Sequence, residues 1–212
     1  SLDLDDVAAN GVVTMPADLK ISATKSLSLG AGIDFKADIQ DGDNLGIDDS
    51  RVEVIVEGAL TATGTVALPV KFESAAGVAS WWGIACHSGS VVFSGVEIHD
   101  AEYGVRSSSG TPGGASISLD GVTVTDCGTA GVSVSTCIVN SHSFIELRNS
   151  TIALSSNQLW GVYVAGPSTE VIVDNCTITG SPGSSYGIWS QAASLIAEGW
   201  IGRCTISGLT AG

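Results

Sequence analysis

Asn175-Cys-Thr-Ile178 and Arg203-Cys-Thr-Ile206 are two copies of the short motif that decides the fold. Three earlier copies precede them, and the five lie 26, 28, 26 and 28 residues apart. The earlier copies are Gly95-Val-Glu-Ile98, Gly121-Val-Thr-Val124 and Asn149-Ser-Thr-Ile152. A steady interval of this length is typical of architectures in which each repeat stacks on the one before it. The C-terminal half is therefore predicted to be a solenoid.

Two further motifs keep the same interval. An aromatic or small residue followed by Gly and a β-branched residue occurs as Trp82-Gly-Ile84, Tyr103-Gly-Val105, Ala130-Gly-Val132, Trp160-Gly-Val162 and Tyr186-Gly-Ile188. Apolar residues spaced by two, such as Ile117 and Leu119, precede the first motif. Each repeat thus holds three short strands, none of which can bury a face alone. Stacking the coils roughly 4.8 Å apart gives one continuous core, so the sequence predicts an all-β parallel β-helix.

Composition and charge argue against several classes of protein. Charged residues make up 14% of the chain, and 27 of the 212 residues are glycine. This composition disfavours a helical bundle. No stretch approaches the roughly 18 consecutive apolar residues of a membrane-spanning helix. The net charge is −14, from 22 acidic and 8 basic residues, so the surface repels phosphate backbones and anionic lipids. We expect no nucleic acid partner and no membrane insertion.

A family resemblance accompanies these repeats. The run from Ile178 to Ile188, a strand, a small polar turn and an aromatic-Gly-Ile motif, resembles the right-handed parallel β-helix repeats of pectate-lyase-like proteins. Residues 27–35, 56–64 and 69–74, with Trp82-Gly-Ile84, are similar to the pattern of bacterial cell-surface and secreted β-helix proteins. The resemblance implies a right-handed, single-stranded β-helix with three short strands per coil. It is specific for architecture rather than activity, since this fold carries enzymes, adhesins and inert scaffolds.

A single domain is expected over residues 1–212. Residues 1–68 would form the N-terminal coils, with a cap and an acidic insertion at 38–50, and residues 69–212 the regular coils. Because the repeat pattern is still running at Gly212, we expect the chain to be a fragment whose neighbouring domains are among its partners.

Alternation along the first motif assigns two inward columns. They are Val96, Val122, Ser150, Cys176 and Cys204, and beside them Ile98, Val124, Ile152, Ile178 and Ile206. Cys176 and Cys204 are then neighbours on adjacent coils. We expect inert core thiols rather than a disulfide, because parallel strands in register seldom offer the required geometry. Asn149 and Asn175 occupy equivalent turns, where their amides are predicted to stack as a ladder, although both also begin Asn-x-Thr sequons.

The outward residues after the repeated glycine form a candidate binding column. Its members are Ala85, Arg106, Ser133, Tyr163 and Trp189. Tyr163 and Trp189 would lie one coil apart, where their rings can stack on the apolar faces of sugars, with Gln191 and Arg106 supplying hydrogen bonds. The alternative is that these aromatic residues only cover the sheet. The aromatic residues beside the glycines, Trp82, Tyr103, Trp160 and Tyr186, are interpreted as packing.

A second outward column is rich in threonine. It contains Glu97, Thr123, Thr151, Thr177 and Thr205, flanked by His99, Thr125, Ala153, Thr179 and Ser207. A flat array of this kind resembles the ice-binding faces of some β-solenoids. Threonine is also a common solvent-facing strand residue, and Glu97, His99 and Ala153 interrupt the array, so an ordinary surface is the favoured interpretation.

Acidic residues cluster in the insertion near residue 45. Asp41, Asp43, Asp48 and Asp49 surround a glycine turn, as oxygen ligands of Ca²⁺ often do. The spacing does not complete an EF-hand loop, and no glutamate follows at its twelfth position. A calcium site and a solvated acidic loop are the two interpretations, and calcium is the one cofactor the sequence suggests.

Residues for polysaccharide cleavage are not evident. A lyase of this fold would need calcium-binding carboxylates beside a base, and the arginines of the regular coils, Arg106, Arg148 and Arg203, have no aspartate cluster in their columns. The paired carboxylates of glycoside hydrolysis and a nucleophile elbow are also missing. His87 and His99 are interpreted as surface residues, because neither has an evident partner to orient its ring. No catalytic residue is assigned.

The sequence therefore favours a non-catalytic scaffold module of an extracellular or cell-surface protein. Two interpretations of the module stay open: it binds a polysaccharide or cell-surface glycan, or it is a spacer without a ligand. The rival from another class is a polysaccharide lyase or glycoside hydrolase whose catalytic loops are unrecognised or lie outside this chain. Ice binding is a distant third.

Overall fold

The computed structural model describes residues 11–38, 41, 46–77, 81–107, 114–127, 136–141, 144–154, 160–165, 169–181, 183, 186–190 and 196–209. Within them the chain forms 22 β-strands and no helix. Each strand pairs in parallel with the strand three places further along the chain, so every full coil contributes one strand to each of three sheets. The fold is all-β with a parallel solenoid arrangement, as the repeats predict.

The three sheets run along the length of the coil stack. Sheet A consists of β1 (Val12–Met15), β4 (Asp34–Ala37), β7 (Val70–Ser74), β10 (Val96–His99), β13 (Thr123–Thr125), β16 (Thr151–Ala153), β19 (Thr177–Thr179) and β22 (Thr205–Ser207). Sheet B consists of β2 (Leu19–Ile21), β5 (Glu53–Val56), β8 (Trp81–Cys86), β11 (Ala101–Ser107), β14 (Thr136–Ser141), β17 (Trp160–Ala165) and β20 (Tyr186–Ser190). Sheet C consists of β3 (Ser26–Leu29), β6 (Ala59–Thr63), β9 (Ser90–Ser94), β12 (Ser116–Asp120), β15 (Phe144–Arg148), β18 (Thr169–Asp174) and β21 (Ile196–Gly202).

A single left-handed residue turns the chain from sheet C into sheet A. These residues have φ between 49° and 62°, and they are Gly95, Gly121, Asn149, Asn175 and Arg203. Glycine reaches this region freely and Asn at modest cost, which explains the first residue of the motif in four of its five copies. Arg203 adopts the same conformation in the fifth copy. Asn175 Nδ2 donates to Asn149 Oδ1 at 2.7 Å, and Asn149 Nδ2 donates to Asp120 at 2.6 Å. The predicted amide ladder is present.

Four glycines of the second motif, Gly83, Gly104, Gly161 and Gly187, lie inside the strands of sheet B rather than at turns. Gly131 lies outside the described residues. Gly83 has φ of 120°, and a Cβ there would come within 1.6 Å of the carbonyl oxygen of Tyr103 in the next coil. A Cβ on Gly187 would come within 2.7 Å of Ile206 Cγ2. These glycines recur because backbone or core atoms approach them closely.

One coil departs from the predicted register. The sequence places Ala130-Gly-Val132 in sheet B, whereas β14 begins at Thr136, which pairs with Tyr103 and Trp160. Ten residues separate β13 from β14, against one between β10 and β11, and the length of such a connection is not fixed by the repeat. The position predicted for Ser133 is therefore occupied by Val139, while Ser133 itself lies outside the described residues.

Inward side chains stack into the predicted core columns. Ile98, Val124, Ile152 and Ile178 are register partners with no exposed area. Ile206 continues the column but is 45% exposed, because β22 is paired on one side only. The inward hydroxyl of Ser150 donates to the carbonyl of Arg148 at 2.6 Å and accepts from the Val122 N–H at 3.0 Å. Both hydrogen bonds offset the cost of burying it.

The described cysteine side chains, Cys86, Cys127, Cys176 and Cys204, are free thiols. Cys86, Cys127 and Cys176 are buried, and Cys204 is half-buried. Burial raises the pKa of the Cys86 thiol to about 11 and also raises the pKa of Cys176. Since the thiolate is the reactive form, Cys86 and Cys176 are poor nucleophiles, in line with the prediction of inert core thiols.

Candidate functional site

The outer side of sheet B carries three aromatic pairs, which we call the aromatic face. Ring centroids lie 4.9 Å apart for Trp82 and Tyr103, 4.9 Å for Trp160 and Tyr163, and 4.6 Å for Tyr186 and Trp189. The last two pairs belong to neighbouring strands, with Trp160 opposite Tyr186 and Tyr163 opposite Trp189. Four rings are therefore grouped over two coils.

The predicted platform residues Tyr163 and Trp189 are register partners one coil apart. Trp189 is 39% exposed and Tyr163 is half-buried, so Trp189 is the more accessible of the two rings. Gln191, the predicted hydrogen-bonding partner, lies outside the described residues. Of the aromatic residues interpreted as packing, Trp82 is buried at 3% exposure, whereas Trp160 and Tyr186 are half-buried and belong to the same group of rings as the platform.

Arg106 belongs to the same face but to a different part of it. Its guanidinium carbon lies 5.0 Å from the ring centroid of Tyr103 and 5.3 Å from that of Trp82, a cation–π arrangement. β14 separates it from Tyr163, and two strand spacings amount to about 10 Å. Arg106 therefore lies two coils from Tyr163 and three coils from Trp189 rather than beside them.

Residues 46–51 of the acidic insertion fold against the outer side of sheet B. The N–H groups of Ile47 and Asp48 donate to Oε1 of Glu53 in β5, at 2.8 and 2.6 Å. Arg51 donates to the buried carboxylate of Glu102 in β11 at 3.2 Å. The segment thus connects to two strands of the sheet.

The three described aspartates of the calcium prediction, Asp41, Asp48 and Asp49, do not form a group that could hold a metal ion. Burial alone would raise the pKa of Asp48, but hydrogen bonds from Arg51 and Ser50 bring it below its ordinary value. Asp49 is exposed, Asp41 is half-buried and Asp43 lies outside the described residues. Across the described part of the chain, no group of three or more His, Cys, Asp or Glu side chains could hold a metal ion. Calcium binding stays a prediction.

Glu53 is an unusual group that sequence reasoning missed. Its side chain has no exposed area, and burial raises its pKa to about 7 against the lowering effect of the Asp48 and Ile47 N–H groups. Asp18 accepts the Glu53 N–H at 2.6 Å, and its negative charge raises the pKa further. A Cβ on Gly46 would lie 2.5 Å from the carboxyl carbon, so this glycine is what admits the carboxylate. The sequence signal is one acid within the apolar run 52–56.

The threonine column occupies the outer face of sheet A in the predicted register, with Thr123, Thr151, Thr177 and Thr205 as successive partners. Lys71 replaces threonine on the other side of Glu97, and their side chains lie 3.8 Å apart. The column therefore contains four consecutive threonines, and Glu97 and Lys71 occupy its next two positions.

His99 has two partners on this face, which corrects the sequence-based interpretation. Its Nε2 lies 3.3 Å from Oε2 of Glu97, and its Nδ1 lies 2.5 Å from Oγ1 of Thr125. Glu97 precedes His99 by two residues in β10, and Thr125 follows it by one 26-residue step. Both spacings put the three side chains on one face, so the repeat alone could have identified the group.

Arg148 and Arg203 share an acidic partner that the sequence columns did not show. Arg148 Nη1 lies 3.1 Å from Asp174 Oδ2, and Arg203 Nε donates to Asp174 Oδ1 at 3.0 Å. Hydrogen bonding from Arg203 lowers the pKa of Asp174 below its ordinary value. Both guanidinium groups are therefore held in ion pairs rather than available as bases.

Comparison with models of known protein families, with curated proteins and with solved structures found no significant match. Among the described residues, no helix has the length and apolar character to cross a membrane. The candidate functional groups described above lie on the outer faces of sheets A and B.

Proposed function

We propose that this chain is a right-handed β-helix scaffold module of an extracellular or cell-surface protein, that it does not cleave polysaccharides, and that it binds a polysaccharide or cell-surface glycan on its aromatic face. The observation that carries the proposal is the group of four rings on β17 and β20. Trp189 presents 39% of its surface there, beside its register partner Tyr163. The right-handed sense is expected because connections between parallel strands are right-handed in about 98% of cases.

The chemistry of the aromatic face suits neutral sugar rings. Aromatic side chains stack on the apolar C–H faces of sugars, while solvent hydrates the hydroxyl groups at the ring edge. The two coils place ring pairs about 4.8 Å apart along the stack, so a chain of sugars lying along the coil axis would meet more than one pair. Each ring contributes about 0.5–1.5 kcal/mol beyond its buried area, so we expect dissociation constants in the high micromolar to millimolar range.

A glycan array followed by titration tests the proposal. Trp189→Ala should weaken binding about 3- to 10-fold, the equivalent of one stacking ring, with little change in melting temperature. Trp200→Ala is the matched control, because Trp200 is 60% exposed but lies on sheet C. Equal losses in both variants, or no binding by the unaltered chain to any glycan, would contradict the proposal and leave a spacer.

A further inference from the structure

The outer face of sheet A holds a hydrogen-bonded chain of three side chains that plays no part in the proposed glycan platform. A carboxylate can only accept, so a neutral His99 ring must donate from Nε2 to Glu97. Its Nδ1 then has a lone pair and accepts from the hydroxyl of Thr125, 2.5 Å away. The arrangement is that of an acid, a base and a hydroxyl nucleophile.

The strands hold this group in place. Glu97 and His99 project from the same face of β10, and Thr125 is the register partner of His99 on β13. The indole of Trp81 donates to the His99 carbonyl at 2.8 Å, which anchors the backbone behind the ring. Lys71 Nζ lies 3.8 Å from Glu97 Oε2, so an ion pair also holds this side chain.

The group is open to solvent, and Thr125 is half-buried. The His99 and Glu97 side chains are 25% and 34% exposed, so solutes reach them. On the side of Thr125 away from His99, the register partner is Ala153, the smallest side chain of that column.

We propose that Glu97, His99 and Thr125 form an acyl-transfer site for small, unhindered esters. Thr125 Oγ1 attacks the ester carbonyl carbon, and its proton passes to His99 Nδ1 and then to the departing alkoxide or phenoxide. Water next attacks the acyl-threonine, gives its proton to the same nitrogen, and releases the carboxylic acid while Thr125 recovers its hydrogen. Glu97 holds the ring and stabilises the transient imidazolium.

The expected activity is slow. The backbone amides of β13 take part in pairing with β10 and β16, so the strand offers no free pair of N–H groups for the developing oxyanion. The acceleration should therefore come from general base action alone, and we expect the acyl-threonine to form faster than it is hydrolysed.

The probe is p-nitrophenyl acetate, with nitrophenol release followed optically and the acetylated residue located by peptide mass spectrometry. The unaltered chain should carry one acetyl group on Thr125. Thr125→Val and His99→Gln should each lower nitrophenol release about tenfold or more. Thr177→Val is the matched control, because Thr177 lies on the same face with no histidine beside it in the register, and this variant should keep the full rate.

Equal rates in Thr125→Val and Thr177→Val, or acetyl groups found only on lysines, would overturn the proposal and leave the three side chains as a surface hydrogen-bond network. Circular dichroism of each variant separates loss of the site from loss of the fold. The test does not depend on glycan binding, since the aromatic face belongs to another sheet.

Discussion

The stability of this protein should fall between pH 5 and pH 8 because of Glu53. The side chain is fully buried, and the N–H groups of Ile47 and Asp48 both donate to its Oε1. Burial in β5, next to the negative charges of Asp18 and Asp48, raises its pKa to about 7, against 4.5 for an ordinary glutamate. The folded protein therefore keeps the Glu53 proton over a range in which the unfolded chain has lost it.

This difference in pKa between the folded and unfolded states sets the sign and the size of the change in unfolding free energy with pH. Below pH 4.5 both states are protonated and the contribution of Glu53 to stability is complete; as pH rises through 7 it is lost. At about 1.4 kcal/mol per pH unit, the span corresponds to about 3 kcal/mol of unfolding free energy.

Urea unfolding at pH 5 and pH 8 tests the reasoning, with Glu53→Gln as the variant and Glu170→Gln as a control that removes one surface carboxylate. Other carboxyls, among them Asp34 and Asp100, also titrate with raised pKa values because of burial, so the quantity to compare is the difference between proteins. The unaltered chain and the control should lose about 3 kcal/mol more than Glu53→Gln. Parallel pH profiles for all three proteins would refute the account.

Four further outcomes are expected. Gly83→Ala should destabilise by several kcal/mol in thermal unfolding, because its Cβ would meet the Tyr103 carbonyl at 1.6 Å; a neutral change would mean the strands are not so close. Asn175→Ala should cost about 1–2 kcal/mol through the left-handed φ and the lost ladder bond, and Asn175→Gly should cost less. Ile152→Asp should unfold most of the protein by circular dichroism, since it buries an unpaired carboxylate. The purified chain should release no unsaturated or reducing ends from polygalacturonate, with or without calcium; release abolished by Arg106→Ala would favour a lyase.

The repeats predicted the columns of sheets A and C well, because spacing and alternation together fix both the coil and the direction of each side chain. Thr123, Thr151, Thr177 and Thr205 lie where the interval puts them. The prediction failed where a connection changes length. The ten residues before β14 shift the strand to Thr136, and no local pattern distinguishes it from the glycine motif at residue 131.

The sites were harder to predict than the columns, because they depend on contacts between coils that the alternation does not specify. The rings of Tyr163 and Trp189 follow from the repeat, but the position of Arg106 over Trp82 and Tyr103 depends on side-chain packing. The sequence suggests Asp48 as a metal ligand, whereas in the structure Arg51 donates a hydrogen bond to its carboxylate.

The indole N–H resonances of the five tryptophans provide the most direct test of glycan binding on the aromatic face. In a ¹⁵N-labelled sample titrated with an oligosaccharide selected on the array, the signals of Trp189 and Trp160 should shift with saturation. The signals of Trp81, which is buried, and of Trp200, which lies on sheet C, should stay in place. A saturable shift of Trp200 with Trp189 unmoved, or five unmoved signals at millimolar ligand, would contradict the central claim.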